Sequence, residues 1–335
     1  MSDDPVGDDL GRAIPTLSMA EIIRLQDRLS QELKRRFEKH LALGFSDIVG
    51  STSYFERFGD EAGRTLQQRH FDLAQLALEA HGGRIVDTAG DGIFMAFPDA
   101  DAAAGTFIAL QRGISTDNLT RSREQQLEIR VGFHAGSVLT DGNHVTGDAV
   151  NLAARVAGTS TPGEIRLTRE AFNDLRGAYR FASRPLGAAT VKGVSQPIDL
   201  LALAWLDASL YPDTIRIQET KVEIPMPAKD VITFGRLAET GGAAGNDVVL
   251  ALAGDEQQTR KISRWHFELR RYPDGFKLRQ LSDQVTEVDG QPIVKGGEAP
   301  IRSGTLVRVG RAATLEFVCR AAPHQPSMDA TYAVD

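Results

Sequence analysis

With one cysteine in 335 residues, the chain cannot close an intrachain disulfide. Cys319 lies in an apolar run, where a small core residue is expected. Long apolar runs are also missing. The longest, Leu200 to Leu206, is far shorter than the roughly 20 residues that span a bilayer, so no membrane insertion is expected. The first residues, Met1-Ser2-Asp3-Asp4-Pro5, are acidic and polar and show no secretory pattern, which makes the cytoplasm the expected location. Basic charge is in deficit: 38 Lys and Arg stand against 45 Asp and Glu, a net charge of −7. That balance argues against general nucleic-acid binding, although it leaves room for a local phosphate site. There is no Gly-x4-Gly-Lys-Ser/Thr segment, which excludes a P-loop nucleotidase.

What is present divides the chain. Residues 1–16 are polar, with Gly and Pro, and read as a disordered N-terminus. Residues 17–40 read as an amphipathic helix, with Ile22, Leu25, Leu29, Leu33 and Phe37 at three- and four-residue steps. Its apolar face either packs on its own domain or pairs with a second copy. Over 41–205 strand-like and helix-like stretches alternate as strand–helix–hairpin–helix–strand, the order of a split βαβ sheet. Residues 206–212 form a linker. From 213 to 320, short β-rich runs separated by Gly, Pro and Asp turns indicate a β-sandwich. Residues 321–335 read as a flexible tail.

Two aspartates carry the most chemistry: Asp47 in Phe45-Ser-Asp-Ile-Val-Gly-Ser-Thr52 and Asp91 in Asp87-Thr-Ala-Gly-Asp-Gly92. Each follows an apolar run and stands beside glycine, where a strand turns and its side chains reach solvent. Carboxylates placed in this way can hold hard divalent cations against a triphosphate, although an Asp beside Gly is more often a turn residue. Asn151 and Arg155 lie four apart in a helical stretch and share a face. There a planar guanidinium suits phosphoryl oxygens and an amide suits a ribose oxygen.

These segments, with Arg130-Val-Gly-Phe-His-Ala-Gly136, Gly147 to Arg155 and Val191-Lys-Gly193, occur in the order and spacing of a known family. Together they resemble the catalytic domain of class III nucleotide cyclases. The resemblance implies that Asp47, Asp91 and the Ile48 carbonyl bind two divalent cations, Mg2+ or Mn2+. It implies that Asn151 orients the ribose, Arg155 stabilises the transition state, and Lys192 contacts the terminal phosphates. It further implies a homodimer with shared sites, the aspartates coming from one chain and Asn151, Arg155 and Lys192 from the other. The expected reaction converts a nucleoside triphosphate to a 3′,5′-cyclic nucleotide and pyrophosphate.

The base-contact positions depart from the family's usual adenine code, with Asp87 and His144 in place of lysine and aspartate. An ionised Asp87 only accepts hydrogen bonds, which suits the N–H edge of guanine or uracil, with His144 donating to a carbonyl. The family base rate favours ATP. The alternatives are a pyrimidine cyclase using UTP or CTP, and a degenerate cyclase-like scaffold that binds phosphopeptides.

In the β-rich region, Phe234-Gly-Arg236, Asn246-Asp247, Ile262-Ser-Arg-Trp-His266 and Thr286 to Gly290 resemble the forkhead-associated (FHA) domain. That resemblance implies a phosphothreonine protein ligand held by Arg236 and Ser263, with Arg264 and Thr286 as further loop contacts and His266 as an internal buttress. Gln284 and Asp289 replace the family's usual asparagines. Thr331 in the tail is a candidate modified ligand for this domain. The expected fold class is α+β: a ferredoxin-like split βαβ cyclase domain followed by an all-β FHA sandwich.

Overall fold

The computed structural model describes residues 14–191, 196–240, 243–251 and 256–319. The expectations for residues 1–13, for Lys192 and for the tail with Thr331 lie outside the described residues. The chain divides into two compact units, residues 1–108 with 129–203, and residues 109–128 with 204–335.

The first unit begins with helix α1 (Met19–Phe37), opened by a capping box in which Ser18 and Glu21 satisfy each other's backbone groups. None of its residues is buried, and Ile22, Ile23, Leu29 and Leu33 are exposed. Leu25 and Phe37 are half-buried, so within one chain most of the apolar face is left uncovered. Strand β1 (Glu38–Ile48) starts directly after it and takes residues 38–40, which the sequence pattern gave to the helix. Helix α2 (Ser51–His81) follows and is broken at Gly59, whose φ of 82° leaves the helical region. Strands β2 (Arg84–Ala89) and β3 (Gly92–Phe97) form the expected hairpin. Helix α3 (Ala100–Asn118) opens on Asp99, whose carboxylate accepts from the Ala102 amide at 2.8 Å. Then come β4 (Ile129–Thr140), β5 (Val145–Thr146), helix α4 (Asp148–Thr159), β6 (Ile165–Thr168), β7 (Ser183–Ala189) and β8 (Ile198–Leu203).

The sheet order is β2-β3-β1-β4-β6-β8-β7, and β4 with β6 is its parallel pair. The long β1–β4 ladder sets Asp47 directly opposite Arg130. Helix α4 lies very close to β4 because Gly132 has no side chain; a Cβ there would stand 2.1 Å from the Ala157 amide nitrogen. The helix that carries Asn151 and Arg155 thus depends on a glycine in the neighbouring strand.

The second unit is a sandwich. One sheet runs β10 (Glu223–Pro225), β9 (Thr214–Ile217), β21 (Ala313–Val318), β20 (Leu306–Val309), β17 (Thr286–Val288), β18 (Gln291–Ile293). The other runs β14 (Val248–Val249), β11 (Val231–Gly235), β15 (Phe267–Tyr272), β16 (Gly275–Gln280), β19 (Glu298–Ile301). Between them lies an apolar core in which the Phe234 and Phe267 rings stack at 4.5 Å. Residues 109–128, which the sequence pattern places in the first domain, pack within this unit. There Asp230 accepts from the Ser115 hydroxyl at 2.8 Å and the Asn118 amide at 2.7 Å. The Asp289 substitution is absorbed by a turn: Asp289 and Gly290 both take positive φ, 49° and 80°, as a tight hairpin turn requires. Among the described residues, no helix is long and apolar enough to cross a membrane.

Candidate functional site

A cavity of about 500 Å3 opens in the first unit, lined by residues that include Phe45, Asp47, Asp87, Phe94, Arg130, Val145, Val150 and Ala154. Phe45 and Phe94 stack at 4.6 Å, giving a flat apolar wall. Asp47 is half-buried, and its Oδ2 accepts from Arg130 Nε at 2.8 Å and from Arg130 Nη2. Burial and the facing Asp91 carboxyl push the Asp47 carboxyl above the ordinary range, and Arg130 pulls it back only in part. The two aspartates predicted as a pair therefore do face each other.

The fit of divalent cations to this pair follows from its donors. Two carboxylates and the adjacent Ile48 carbonyl offer only hard oxygen ligands, and their mutual repulsion is relieved by positive charge. Among the described residues there is no group of three or more His, Cys, Asp or Glu that could hold a metal. Such a site fits Mg2+ or Mn2+ that keeps water and takes the rest of its shell from substrate phosphates, rather than a closed structural metal.

Asn151 and Arg155 are exposed one helical turn apart on α4, as expected, but neither lines the cavity. Asp87 does line it, with one carboxylate oxygen accepting from the Thr88 amide at 2.8 Å. His144 does not join Asp87 there. Its side chain is 89% exposed, and its Nδ1 lies 3.2 Å from Asp141 Oδ2. The His144 and Asn143 amides both donate to Asp141 and hold that carboxyl well below its usual range, so the loop is organised around Asp141. Pairing of Asp87 with His144 at one base edge is not formed within this chain.

Two neighbours escaped the sequence reading. Arg130 stood inside a quoted motif, but only the β1–β4 register reveals its partner. His70 on α2 is buried and reaches both Ser46 and the Asp91 carbonyl, and burial lowers its ring pKa to about 4. A second hollow of about 310 Å3, lined by residues that include Arg64, Gln67, His70 and Asp91, lies beside the hairpin.

In the sandwich, Arg236 and Arg264 are exposed and Ser263 is half-buried, with the Arg236 amide donating to the Ser263 carbonyl at 3.0 Å. These loops are therefore neighbours. Gly235 permits the approach, since a Cβ there would meet the Arg264 carbonyl oxygen at 2.1 Å. Thr286 departs from expectation. It is fully buried, its hydroxyl donating to Gln280 Oε1 at 2.7 Å and lying 2.9 Å from His266 Nε2, so it supports the loops from inside and cannot reach a ligand. His266 is the buttress expected. The Ser263 amide donates to its Nδ1 at 3.0 Å, which fixes the proton on Nε2.

The profile of the adenylate and guanylate cyclase catalytic domain matches residues 34–203, and the chain belongs to that family. An FHA domain is matched over residues 232–310. A putative adenylate cyclase of Rhizobium meliloti is 23% identical over 208 residues, covering 62% of this chain and 35% of its own length. An adenylate cyclase of Streptomyces coelicolor is 34% identical over 119 residues, covering 36% of this chain and 30% of its own length. The chain thus spans about a third of these curated relatives. The crystal structure of the adenylyl cyclase CyaB from P. aeruginosa, 26% identical, covers 50% of this chain and 94% of that one, with a TM-score of 0.44.

Burial lowers the His266 pKa to about 4, below the ordinary 6.5, so folding requires its neutral form. Stability from this group is fully present above pH 6.5 and is lost as pH falls toward 4. A protonated Nδ1 would also set two N–H groups against each other at Ser263. Thermal melts between pH 7.5 and 4 are expected to show the sandwich transition falling in this window in the wild type, with a shallower fall in His266→Gln.

Proposed function

We propose that the chain is a nucleotide cyclase working as a homodimer, with an FHA module that reads a phosphothreonine protein. The observation that carries the first part is the facing Asp47–Asp91 pair beside a cavity of about 500 Å3 in a chain of the cyclase family. Divalent cations held by Asp47, Asp91 and the Ile48 carbonyl would supply the Lewis acidity that makes the ribose 3′-hydroxyl a nucleophile. The 3′-oxygen bonds to the α-phosphorus, the bond from that phosphorus to the bridging oxygen breaks, the hydroxyl proton goes to solvent and pyrophosphate leaves. Asn151 holds the ribose, Arg155 meets the charge that develops on the α-phosphoryl oxygens, and Lys192 anchors the terminal phosphates. These three act on the nucleotide held at the aspartates of the partner chain. The exposed apolar stripe of α1 pairs with its copy.

Asp87 on the cavity wall favours a base with an N–H edge, which supports GTP or UTP over the family's usual ATP. Asp87 is exposed in the single chain; covered by a bound base and left unpaired it would cost about 1–3 kcal/mol, a preference of about tenfold to hundredfold. Arg236 and Ser263, on neighbouring loops, suit a phosphate dianion.

Asp91→Ala and Arg155→Ala are each expected to abolish cyclisation with the fold intact. A refolded mixture of the two should recover about one quarter of wild-type activity, since half the dimers keep one intact site. No recovery on mixing sinks the shared site, and near wild-type turnover by Asp91→Ala sinks the metal assignment. Incubation with each of the four triphosphates and Mn2+ is expected to favour GTP or UTP; strict use of ATP refutes the role of Asp87. A phosphothreonine peptide array should light up with wild type and go dark with Arg236→Ala, whereas signal no higher than on unphosphorylated controls leaves the sandwich as a docking module only.

A further inference from the structure

The strand pair that carries the two aspartates runs out just before reaching them. β1 and β3 are paired from Ala42↔Phe97 to Ser46↔Ile93, so Asp47 lies one residue beyond the last rung and Asp91 two residues before it on the other strand. On its far side β1 stays paired with β4 through Ile48, which steadies Asp47. The β2–β3 hairpin has no such support, because β2 is an edge strand and the turn at Gly90 and Asp91 lies outside the β1 ladder. A cation such as Mg2+ tolerates little error in ligand placement. Something must fix the height of Asp91 against Asp47.

His70 occupies that gap. The ring is 1% exposed, with Nε2 2.9 Å from Ser46 Oγ and Nδ1 3.2 Å from the Asp91 carbonyl oxygen. A carbonyl only accepts, so Nδ1 carries the proton and donates to Asp91, and Nε2 accepts from the Ser46 hydroxyl. One rigid ring, borne by a third element, thereby joins the residue before Asp47 to the backbone of Asp91. We infer that His70 is a positioning residue that sets the spacing of the two metal-binding carboxylates by bridging Ser46 and Asp91. This rests on the metal reading of Asp47 and Asp91 above. The plainer alternative is a core histidine that merely satisfies two polar neighbours, and the two differ in what their loss does to metal binding.

The test is Mn2+ binding to the full chain without nucleotide, followed by electron paramagnetic resonance, with the melting temperature recorded for each variant. His70→Leu removes both hydrogen bonds, while His70→Asn keeps a donor near the place of Nδ1. Loss of such outer partners weakens metal binding by about tenfold to hundredfold, which is expected for His70→Leu, with His70→Asn recovering to within about threefold of wild type. The Mn2+ concentration for half-maximal cyclisation should rise in step, with KM for the triphosphate at saturating Mn2+ unchanged. Wild-type Mn2+ affinity in a folded His70→Leu overturns the inference, as does equal loss in His70→Leu and His70→Asn. Should His70→Leu fail to fold, His70→Gln, which reaches the Ser46 side only, takes its place; equal binding by the Gln and Asn variants overturns it. Mn2+ binding that survives in an Asp47→Ala/Asp91→Ala double variant instead overturns the metal reading, and this inference with it.

Discussion

Two carboxylates facing each other at the ends of neighbouring strands form the constraint around which the first unit is arranged. Unit charges about 4 Å apart near a protein surface interact by about 4 kcal/mol, against a typical total stability of about 5–15 kcal/mol. Like charges on that scale cannot be left uncompensated. In this chain the answer is graded: burial and Asp91 push the Asp47 carboxyl upward, and the Arg130 guanidinium directly across the ladder offsets part of the repulsion. Arg130 holds one oxygen of Asp47 through two donors, so the fold already supplies a positive charge where a cation would bind.

The second unit, proposed to hold a phosphate, shares one device with the first. A buried histidine with a pKa near 4 joins a strand to a turn or loop in each, Ser46 of β1 to Asp91 in the first and Thr286 of β17 to Ser263 in the second. The protonation patterns are mirror images. His70 donates from Nδ1 to a carbonyl, whereas His266 accepts at Nδ1 from the Ser263 amide and presents its Nε2 proton to Thr286. In both cases burial keeps the ring neutral, so neither ring adds charge to a site whose chemistry is already dominated by charge. Each ring instead fixes backbone, which is where the precision of a phosphate or metal site originates.

Much of this was legible in the sequence, for reasons that differ by residue. Asp47 and Asp91 stand near glycines that take positive φ, Gly50 and Gly90, but an Asp near glycine is more often a turn residue, and it is the order and spacing of the surrounding motifs that singles the pair out. That Asn151 and Arg155 stand one turn apart on a helix follows from spacing, whereas the roles expected of them rest on the family resemblance. The break at Gly59 and the Asp99 cap are local chemistry and appear where local chemistry puts them. Arg130 and His70 were not legible, since their meaning lies in a strand register and in the packing of a helix against a hairpin, neither of which sequence spacing encodes. Thr286 was misread for the same reason: its place in a loop motif gives no hint that its side chain points inward to Gln280. The second unit's claim on residues 109–128 likewise comes from long-range bonds to Asp230 that no local pattern signals.

The geometry of helix α4 explains why one chain reads as half a site. Val150, Ala154 and Ala157 line the cavity beside Asp47, and they form one face of the helix. At 100° per residue, Asn151 is turned away from the centre of that face by roughly 90° and Arg155 by roughly 130°. The face of the helix that packs inward is set by buried Ala153, Val156 and Ala157, and Gly132 lets the Ala157 backbone approach β4 closely. In the proposed mechanism Asn151 and Arg155 meet the same nucleotide as Asp47 and Asp91. A second copy whose α4 presents its outward face to the first chain's carboxylates is the arrangement that this proposal requires, and a two-fold relation would make both sites alike.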